Sequence, residues 1–230
     1  MQEELILVSQ ATDVEKATFY KKTYLHVAIA ILSFMVVEGF LLRAVPQDFI
    51  YSMLGGRMVW LFIIGLFWLG SFLSNKLAFS LDKTTQYLGL GLYILIEALI
   101  FLPILYIAIV VSDNAAVVQQ AAIITLFMFG GLTAVVFLTK KDFSFLRTAI
   151  VVGGFVALGL IVAGMIFGFN LGLWFSVGMV ILASASILYQ TSQIKDKYLT
   201  GQYVGAALQL FASVMLLFWY VLRILMSRRS

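Results

Sequence analysis

Seven apolar stretches, each long enough to cross a lipid bilayer, fill most of this 230-residue chain. A helix needs about 20 mostly apolar residues to cross about 30 Å of hydrocarbon. Backbone polar groups inside lipid must bond to one another, so the spans form helices or a closed barrel. Barrel strands alternate apolar and polar residues, whereas stretches such as 59–69 are apolar throughout, which favours helices. The predicted spans cover residues 24–44, 57–75, 85–106, 115–138, 146–168, 171–192 and 203–225.

The composition leaves little room for a water-soluble domain. Hydrophobic residues make up 63% of the chain and charged residues only 11%, whereas soluble domains carry about 25% charged residues. We therefore predict an all-α integral membrane protein with a single seven-helix transmembrane domain over 24–226. A polar tail at 1–23 precedes this domain and a short C-terminal tail at 227–230 follows it. The first tail lacks the pattern of a cleaved signal peptide, so we expect the first span to be retained as an anchor.

Lysine and arginine are distributed unevenly between the two sides of the predicted bundle. Ten of the fifteen lie in the N-terminal tail and in the loops after the second, fourth and sixth spans. The positive-inside rule then places the N-terminus in the cytoplasm. The basic excess indicates topology first and attraction to anionic lipid second. Since no basic domain is present, we expect no nucleic-acid partner.

Small residues allow helices to approach each other closely in lipid, where apolar side chains alone give no preference for helix over lipid. Glycines are concentrated in the fifth span, and small residues are frequent in spans four, six and seven. We therefore expect these four helices to form the centre of the bundle. Pro103 lies near the end of the third span, where its missing N–H group is predicted to kink or end the helix.

Two carboxyl groups, Glu38 in the first span and Glu97 in the third, lie at membrane depth. Ionisable residues in this environment are costly and are candidates for function. One interpretation is a proton or cation site. The other is structural: each carboxyl is protonated, or pairs with an arginine such as Arg43 or Arg57. The single histidine, His26, is interpreted as an interfacial residue.

Amide and hydroxyl side chains at the end of the sixth span and on the seventh could link these two helices. Gln190 and Gln193 lie at the end of the sixth span, and Gln209 and Ser213 lie one helical turn apart on the seventh. Hydrogen bonds between them would contribute roughly 1 kcal/mol or less each. None of these groups changes charge at physiological pH.

No set of residues in the sequence resembles a catalytic centre. The HExxH pattern is absent, cysteine is absent, and all six aspartates fall in the tail or the loops. Without a nucleophile, a base and an orienting group, we predict that the protein is not an enzyme. We likewise expect no metal site and no cofactor.

One loop carries the most specific pattern in the chain. In GLTAVVFLTKKDFSFL (residues 131–146) a helix ends in Lys140 and Lys141, which suit a helix C-terminus. Asp142 or Ser144 can cap the next helix. This segment resembles the loop motif of the Bax inhibitor family, also called the transmembrane BAX inhibitor motif family, and is most similar to its bacterial YccA branch. Supporting matches are LIFLPIL at 99–105, ILYQTSQI at 187–194 and QLFASVMLLFWYVLRIL at 209–225.

The resemblance implies a seventh helix surrounded by the others, a bacterial inner membrane, and two candidate roles. Members of the YccA branch bind and restrain the membrane-anchored ATP-dependent protease FtsH, which here would engage the polar, apparently unstructured N-terminal tail. The alternative for this tail is an inert tether or a surface helix at 14–24. Other members are pH-sensitive calcium leak channels, with calcium or protons as ligands, whose aspartate pair shares a proton. Motif alignment puts Gln190 and Ser213 at those two positions. Because neither ionises usefully and both make poor calcium ligands, we expect no acid switch, and we interpret Gln190, Gln209 and Ser213 as a neutral lock.

Overall fold

The computed structural model describes residues 6–112, 114–139 and 141–227, apart from the side chains of residues 57 and 58. Within these residues the chain forms eight α-helices, seven of which are long and apolar enough to cross a membrane. The seven predicted spans are thereby confirmed as helices. The helices are α1 (Asp13–Ala44), α2 (Gln47–Leu54), α3 (Arg57–Ala78), α4 (Lys83–Tyr106), α5 (Ala115–Leu138), α6 (Leu146–Phe167), α7 (Gly172–Asp196) and α8 (Tyr203–Ser227).

The first helix begins well before the first predicted span. Thr12 caps α1 in a reciprocal pair: its hydroxyl accepts from the backbone N–H of Glu15 at 3.4 Å, and the Glu15 carboxylate accepts from the backbone N–H of Thr12 at 2.8 Å. This capping box satisfies two donors that a helix start leaves open. The expectation of an unstructured tail therefore differs from the structure, because the chain is helical from Asp13 onward.

The short helix α2 was not predicted from the sequence. It follows Pro46 and buries Ile50 and Met53, while Phe49 and Tyr51 on other faces remain exposed. Its eight residues cover about 12 Å at 1.5 Å per residue, which is too short to cross a membrane. Because Ile50 and Met53 lie on one face of α2, this short helix packs its apolar side against the bundle just after α1 ends.

Pro103 does not end α4. The helix continues through it to Tyr106 and then into a π-helical turn over Ile107–Val111, which Ser112 closes by donating its N–H to the Ile107 carbonyl at 2.9 Å. Proline removes one hydrogen-bond donor from the helix interior. The π-helical turn that follows is rare in proteins and occurs mostly as a single turn within a longer helix. Of the two predicted outcomes, a kink or an end of the helix, the end at this proline is therefore wrong.

The last helix lies at the centre of the bundle, as the family resemblance implied. It packs against α1, α3, α4, α5 and α7, and most of its residues are buried. Aromatic rings fill this centre: Phe101 of α4 stacks on Phe218 at 5.6 Å between ring centroids and meets Trp219 edge-on at 4.9 Å. Such contacts add to the close packing that holds helices together in lipid.

The glycine-rich helix α6 lies at the periphery, which corrects the expected arrangement. Among its glycines, Gly154 and Gly159 have open space where a side chain would begin. Close approach of two backbones occurs at Gly89 on α4, whose missing Cβ would lie 2.5 Å from the backbone nitrogen of Ala78. On α6 itself, Gly153 lies against a side chain, since its Cβ would lie 2.7 Å from Leu182. The centre of the bundle is accordingly formed by α4 and α8, the third and seventh spans. The expectation of a central position is therefore confirmed for the seventh span, but not for the glycine-rich fifth.

Candidate functional site

The seam between α7 and α8 carries Gln190 and Ser213, which the family resemblance predicts to stand at the positions of the aspartate pair. Gln190 donates its amide N–H to the Gln209 side-chain carbonyl, with 3.2 Å between Nε2 and Oε1. Ser213 lies 2.8 Å from Ser186, oxygen to oxygen, and donates to the Gln209 backbone carbonyl at 3.0 Å. Because the Ser213 proton is committed to that carbonyl, Ser186 is the donor between the two hydroxyls. Each position is thus bonded across the seam, although among the described residues Gln190 and Ser213 do not bond to each other.

The hydrogen bonds at this seam continue on both sides. Gln209 donates to the side-chain oxygen of Asn75 on α3 at 2.7 Å, and the Tyr198 hydroxyl donates to Gln190 Oε1 at 3.3 Å. We call Asn75, Gln209, Gln190 and Tyr198 the amide chain. It links α3, α8, α7 and the connection after α7, and every member is neutral at physiological pH.

Sequence reasoning missed Asn75, Ser186 and Tyr198 as members of this site. Ser186 lies one turn before Gln190, so helical spacing alone could have placed it on the same face. Asn75 could not have been found in this way, because its partner Gln209 lies far away in the chain. Tyr198 could not either, because it follows the end of α7 and helical spacing does not extend to it. The sequence predicts Gln193 as a member of the seam, but its side-chain N–H donates instead to the Ser144 hydroxyl at 3.1 Å.

Residues 6–11, which we call the N-terminal strap, lie across the connection between α7 and α8. The Val8 N–H donates to the Tyr198 carbonyl at 2.9 Å, and the Thr200 N–H donates to the Ile6 carbonyl at 3.0 Å. These bonds form an isolated antiparallel bridge around Leu7 and Leu199. Val8 is fully buried. The strap therefore holds the backbone of Tyr198, the same residue whose hydroxyl ends the amide chain.

Two phenylalanines fix the ring of Tyr198. Phe79, just after α3, stacks on it at 5.8 Å with an angle of 14° between the planes, and Phe19 of α1 lies at 6.4 Å. Aromatic pairs of this kind restrict ring movement in addition to burying area. Tyr198 is thus held by the strap through its backbone, by aromatic rings through its side chain and by Gln190 through its hydroxyl.

The family loop motif is docked on the end of α7. The Asp142 carboxylate accepts from the Ser144 hydroxyl at 2.7 Å, from the Ser144 N–H at 2.9 Å and from the Ser192 hydroxyl at 3.3 Å. Hydrogen bonds from Ser144, side chain first and then backbone, hold the pKa of Asp142 below its ordinary value. Lys141 is exposed, and Lys140 lies outside the described residues. The motif thus joins the α5–α6 loop to the helix that carries Gln190.

The two intramembrane acids lie away from the seam. Glu38 on α1 is 4% exposed, and neither of its carboxyl oxygens has a hydrogen-bond partner among the described residues. No ion pair joins Glu38 to Arg43 among the described residues, so the predicted pairing with Arg43 is not seen. The side chain of Arg57, the other predicted partner, lies outside the described residues. Glu97 on α4 is also buried, beside the Tyr93 hydroxyl one turn earlier. Because uncompensated charge inside lipid is costly, Glu38 is the more unusual of the two.

The charge pattern of the seam limits what it can bind. Its side chains offer only amide and hydroxyl oxygens, whereas calcium sites combine six to eight oxygens that include carboxylates. Among the described residues no group of three or more His, Cys, Asp or Glu side chains lies close enough to hold a metal ion. The seam is therefore suited to joining helices rather than to coordinating a divalent cation.

The fold and the seam define a class of protein: a multi-pass helical membrane protein whose last helix is enclosed by the others and bonded to its predecessor by neutral polar groups. Residues 16–230 match the family described as "Inhibitor of apoptosis-promoting Bax1". The chain belongs to this Bax inhibitor family.

The chain is also similar to bacterial proteins. It is 37% identical over 123 residues to the uncharacterized protein PA2604 of Pseudomonas aeruginosa, covering 53% of this chain and 55% of that protein. It is 31% identical over 126 residues to the uncharacterized proteins NMA0420 and NMB2020 of Neisseria meningitidis serogroups A and B, covering 54% of this chain and 55% of each relative. The matched region thus spans about half the length of these relatives. Their names add no activity to what the family indicates.

Proposed function

We propose that this protein is a regulatory membrane protein that binds a membrane-anchored ATP-dependent protease of the FtsH type through its N-terminal tail. The observation that carries the proposal is the strap. It holds the tail by two backbone hydrogen bonds to the α7–α8 connection. One of them is to Tyr198, the residue that ends the amide chain. A protease that pulls on the tail would meet this connection first.

The strap is held weakly and the helical bundle strongly. This difference supports a role as a binding partner of the protease rather than a simple substrate. Two backbone hydrogen bonds contribute about 1–3 kcal/mol together, and burial of the Val8 side chain contributes about 1.5–3 kcal/mol more. This sum is small enough for the strap to be released while the bundle stays folded. The bundle beyond it is held by ring stacking around α8 and by the amide chain. A protease that releases the tail from the bundle, but cannot unfold the bundle, would stay bound to the intact protein.

A proline scan of the strap tests this proposal. Val8→Pro removes the N–H that Tyr198 accepts, whereas Leu7→Pro is a matched control, because Leu7 has φ −63° and its N–H makes no hydrogen bond among the described residues. We expect Val8→Pro to increase co-purification with the protease, Leu7→Pro to leave it unchanged, and deletion of residues 2–11 to abolish it. Unchanged co-purification after the deletion would contradict the proposal.

The topology belongs to the same proposal. The tail at 1–23 lies in the cytoplasm, the single transmembrane domain at 24–226 lies in a bacterial inner membrane, and residues 227–230 form the opposite tail. The charge asymmetry and the bacterial relatives support this arrangement. Because the chain contains no cysteine, single cysteines introduced at residue 3 and at residue 230 can be labelled with an impermeant thiol reagent in intact cells. Labelling at residue 3 but not at residue 230 would contradict the orientation.

A second candidate function is a cation leak that lacks the family's acid switch. The observation that favours it is Glu38, a buried carboxyl without a partner among the described residues. Flux measured in proteoliposomes for Glu38→Gln and Glu97→Gln tests this candidate, with calcium and protons as the ions followed. We expect Glu38→Gln to reduce the flux more than Glu97→Gln. A flux unaffected by either change would remove both residues from the pathway.

A further inference from the structure

A cluster of basic and aromatic side chains joins α1, α4 and α8 at the end of the bundle where the strap lies. The Tyr203 ring at the start of α8 is shared by two ammonium groups: Lys83 Nζ lies 4.1 Å and Lys22 Nζ 5.1 Å from its centroid. The His26 ring lies 5.1 Å from the same ring and is bonded to the Tyr87 hydroxyl at 3.0 Å. Three helices thus bring two positive charges and three polar rings to one place.

The polar groups of this cluster are held in fixed positions. His26 Nδ1 lies 2.7 Å from the Lys22 carbonyl oxygen, which can only accept, so Nδ1 carries the proton. In the neutral ring Nε2 then accepts from Tyr87. Lys83 donates to the Gly201 carbonyl and to Gln86. Such preorganised groups bind a ligand with less loss of side-chain freedom.

Charge and burial indicate an anion as the ligand. Lys22, Lys83 and His26 are half-buried rather than freely extended into solvent, and Lys22 makes no ion pair among the described residues. Asp82, the acid next to Lys83 in the chain, directs its carboxylate to the N–H and hydroxyl of Thr85 at 2.7 Å each. Two ammonium groups against one ring repel each other, and an anion between the helices would reduce that repulsion.

The surroundings indicate that this anion belongs to a lipid. Exposed apolar side chains continue from the cluster along both helices, Leu25, Ile29 and Leu32 on α1 and Leu88 and Leu95 on α4. The α1 residues share one face, because they are spaced by four and three positions. A ligand with a charged head and two long apolar chains fits a basic cluster that borders such faces.

We propose that Lys22 and Lys83, held in place by Tyr203, His26 and Tyr87, form a binding site for the phosphate of an anionic glycerophospholipid, whose acyl chains lie along α1 and α4. The site stands independently of the proposed protease partner. One lipid bound here would bridge the three helices α1, α4 and α8. The positive charges at this end of the bundle would then have a role beyond topology.

Adjacent lysines provide a matched test of this site. Lys22→Gln removes one ammonium group from the cluster, whereas Lys21→Gln makes the same charge change at an exposed neighbour that does not touch Tyr203. Lys22→Arg keeps the charge. The full chain in detergent is titrated with dioleoyl phosphatidylglycerol or dioleoyl phosphatidylcholine, and bound lipid is counted by native mass spectrometry. The unfolding temperature without added lipid verifies that each variant is folded.

We expect the natural chain to prefer phosphatidylglycerol. Lys22→Gln should weaken that binding about fivefold, from the roughly 1 kcal/mol that one lysine contributes near an anionic surface. Lys22→Arg should retain it and Lys21→Gln should leave it unchanged. Equal losses in Lys21→Gln and Lys22→Gln, or no loss in Lys22→Gln, would overturn the proposal. Displacement of phosphatidylglycerol by millimolar inorganic phosphate would overturn the assignment to a lipid and indicate a site for free phosphate.

Discussion

The seam between α7 and α8 and the C-terminal half of α1 both bury polar side chains, and the two regions differ in how those side chains are paired. At the seam Gln190, Gln209 and Ser213 are neutral, and each has a hydrogen-bond partner. On α1 the carboxyl of Glu38 is ionisable and has no partner among the described residues. Paired neutral groups hold helices together, whereas an unpaired acid costs stability and is retained for another reason.

This comparison gives opposite expectations for the two regions. Making the seam ionisable or apolar should destabilise the protein, because paired groups lose their partners. Making position 38 apolar should stabilise it, because an uncompensated polar group is removed from the interior. Three substitutions test this difference in sign, and a fourth examines the loop motif that docks on α7. Each can be measured by reversible unfolding in detergent.

The largest effect is expected for Ser213→Asp. A carboxylate at this 5% exposed position would be buried without a positive partner, which we expect to cost about 3 kcal/mol or more at pH 8. At pH 5 the cost should be smaller, because the acid is tolerated when it is protonated. Ser213→Asn is the neutral control of similar size. Equal destabilisation by Asp and Asn at pH 8 would show that the seam does not discriminate against charge.

The next largest effect is expected for Gln209→Met. This change removes the bonds to Gln190 and Asn75 while keeping a side chain of similar length. Bonds between membrane helices average about 0.6 kcal/mol, so a loss of roughly 1–2 kcal/mol is expected. Gln120→Met on α5 is the matched control, since Gln120 is exposed, and should change the stability little. Equal losses in the two variants would indicate that the amide chain contributes nothing specific.

A smaller effect of opposite sign is expected for Glu38→Met. Replacing a buried ionisable group by an apolar one of similar volume is neutral or stabilising, and we expect about 1 kcal/mol of added stability at pH 8. Glu38→Gln separates the loss of charge from the loss of polarity. Destabilisation by Glu38→Met as large as that by Gln209→Met would mean that Glu38 has a structural role and that the two regions do not differ.

The smallest effect is expected for Asp142→Asn in the exposed loop motif. Because its hydrogen bonds with Ser144 lower the pKa of Asp142 in the folded protein, the carboxylate stabilises the fold above its unfolded pKa of about 3.9. That contribution is lost as the pH falls through the lower folded pKa. The unfolding temperatures of the variant and the natural chain should therefore differ slightly at pH 7 and converge below about pH 4. Ser144→Ala, which removes the partner, should show the same profile, and a constant difference at all pH values would argue against this cause.

The sequence was sufficient to predict the spans because length and hydrophobicity decide whether a helix can cross a bilayer. It was not sufficient to predict which spans lie inside, because lipid-facing and protein-facing side chains are equally apolar. The glycines of α6 illustrate this: Gly154 and Gly159 suggested a packed helix, yet they face open space, while Gly89 mediates the close approach. The helix α2 was missed because eight residues fall below the length of a span.

The candidate site was predictable only where its members share a helix. Gln209 and Ser213 lie one turn apart on α8, and the family resemblance placed Gln190 opposite them. The partners that complete the seam, Asn75 and Tyr198, lie on other elements, so their positions depend on the tertiary packing of α3 and of the α7–α8 connection. The strap is a similar case, because a single backbone bridge to Leu199 leaves no pattern in the sequence.

The central claim is that the α7–α8 seam is a neutral joint that stays closed whatever the pH. The pair Ser186→Cys and Ser213→Cys tests it directly, because the two hydroxyl oxygens lie 2.8 Å apart and the natural chain contains no cysteine. After oxidation to completion, tryptic cleavage in the connection after α7 separates the two helices unless a disulfide joins them. We predict the same high yield of linked fragments at pH 6 and at pH 8. A high yield at one pH and a low yield at the other would show that the seam opens with pH and would contradict the account.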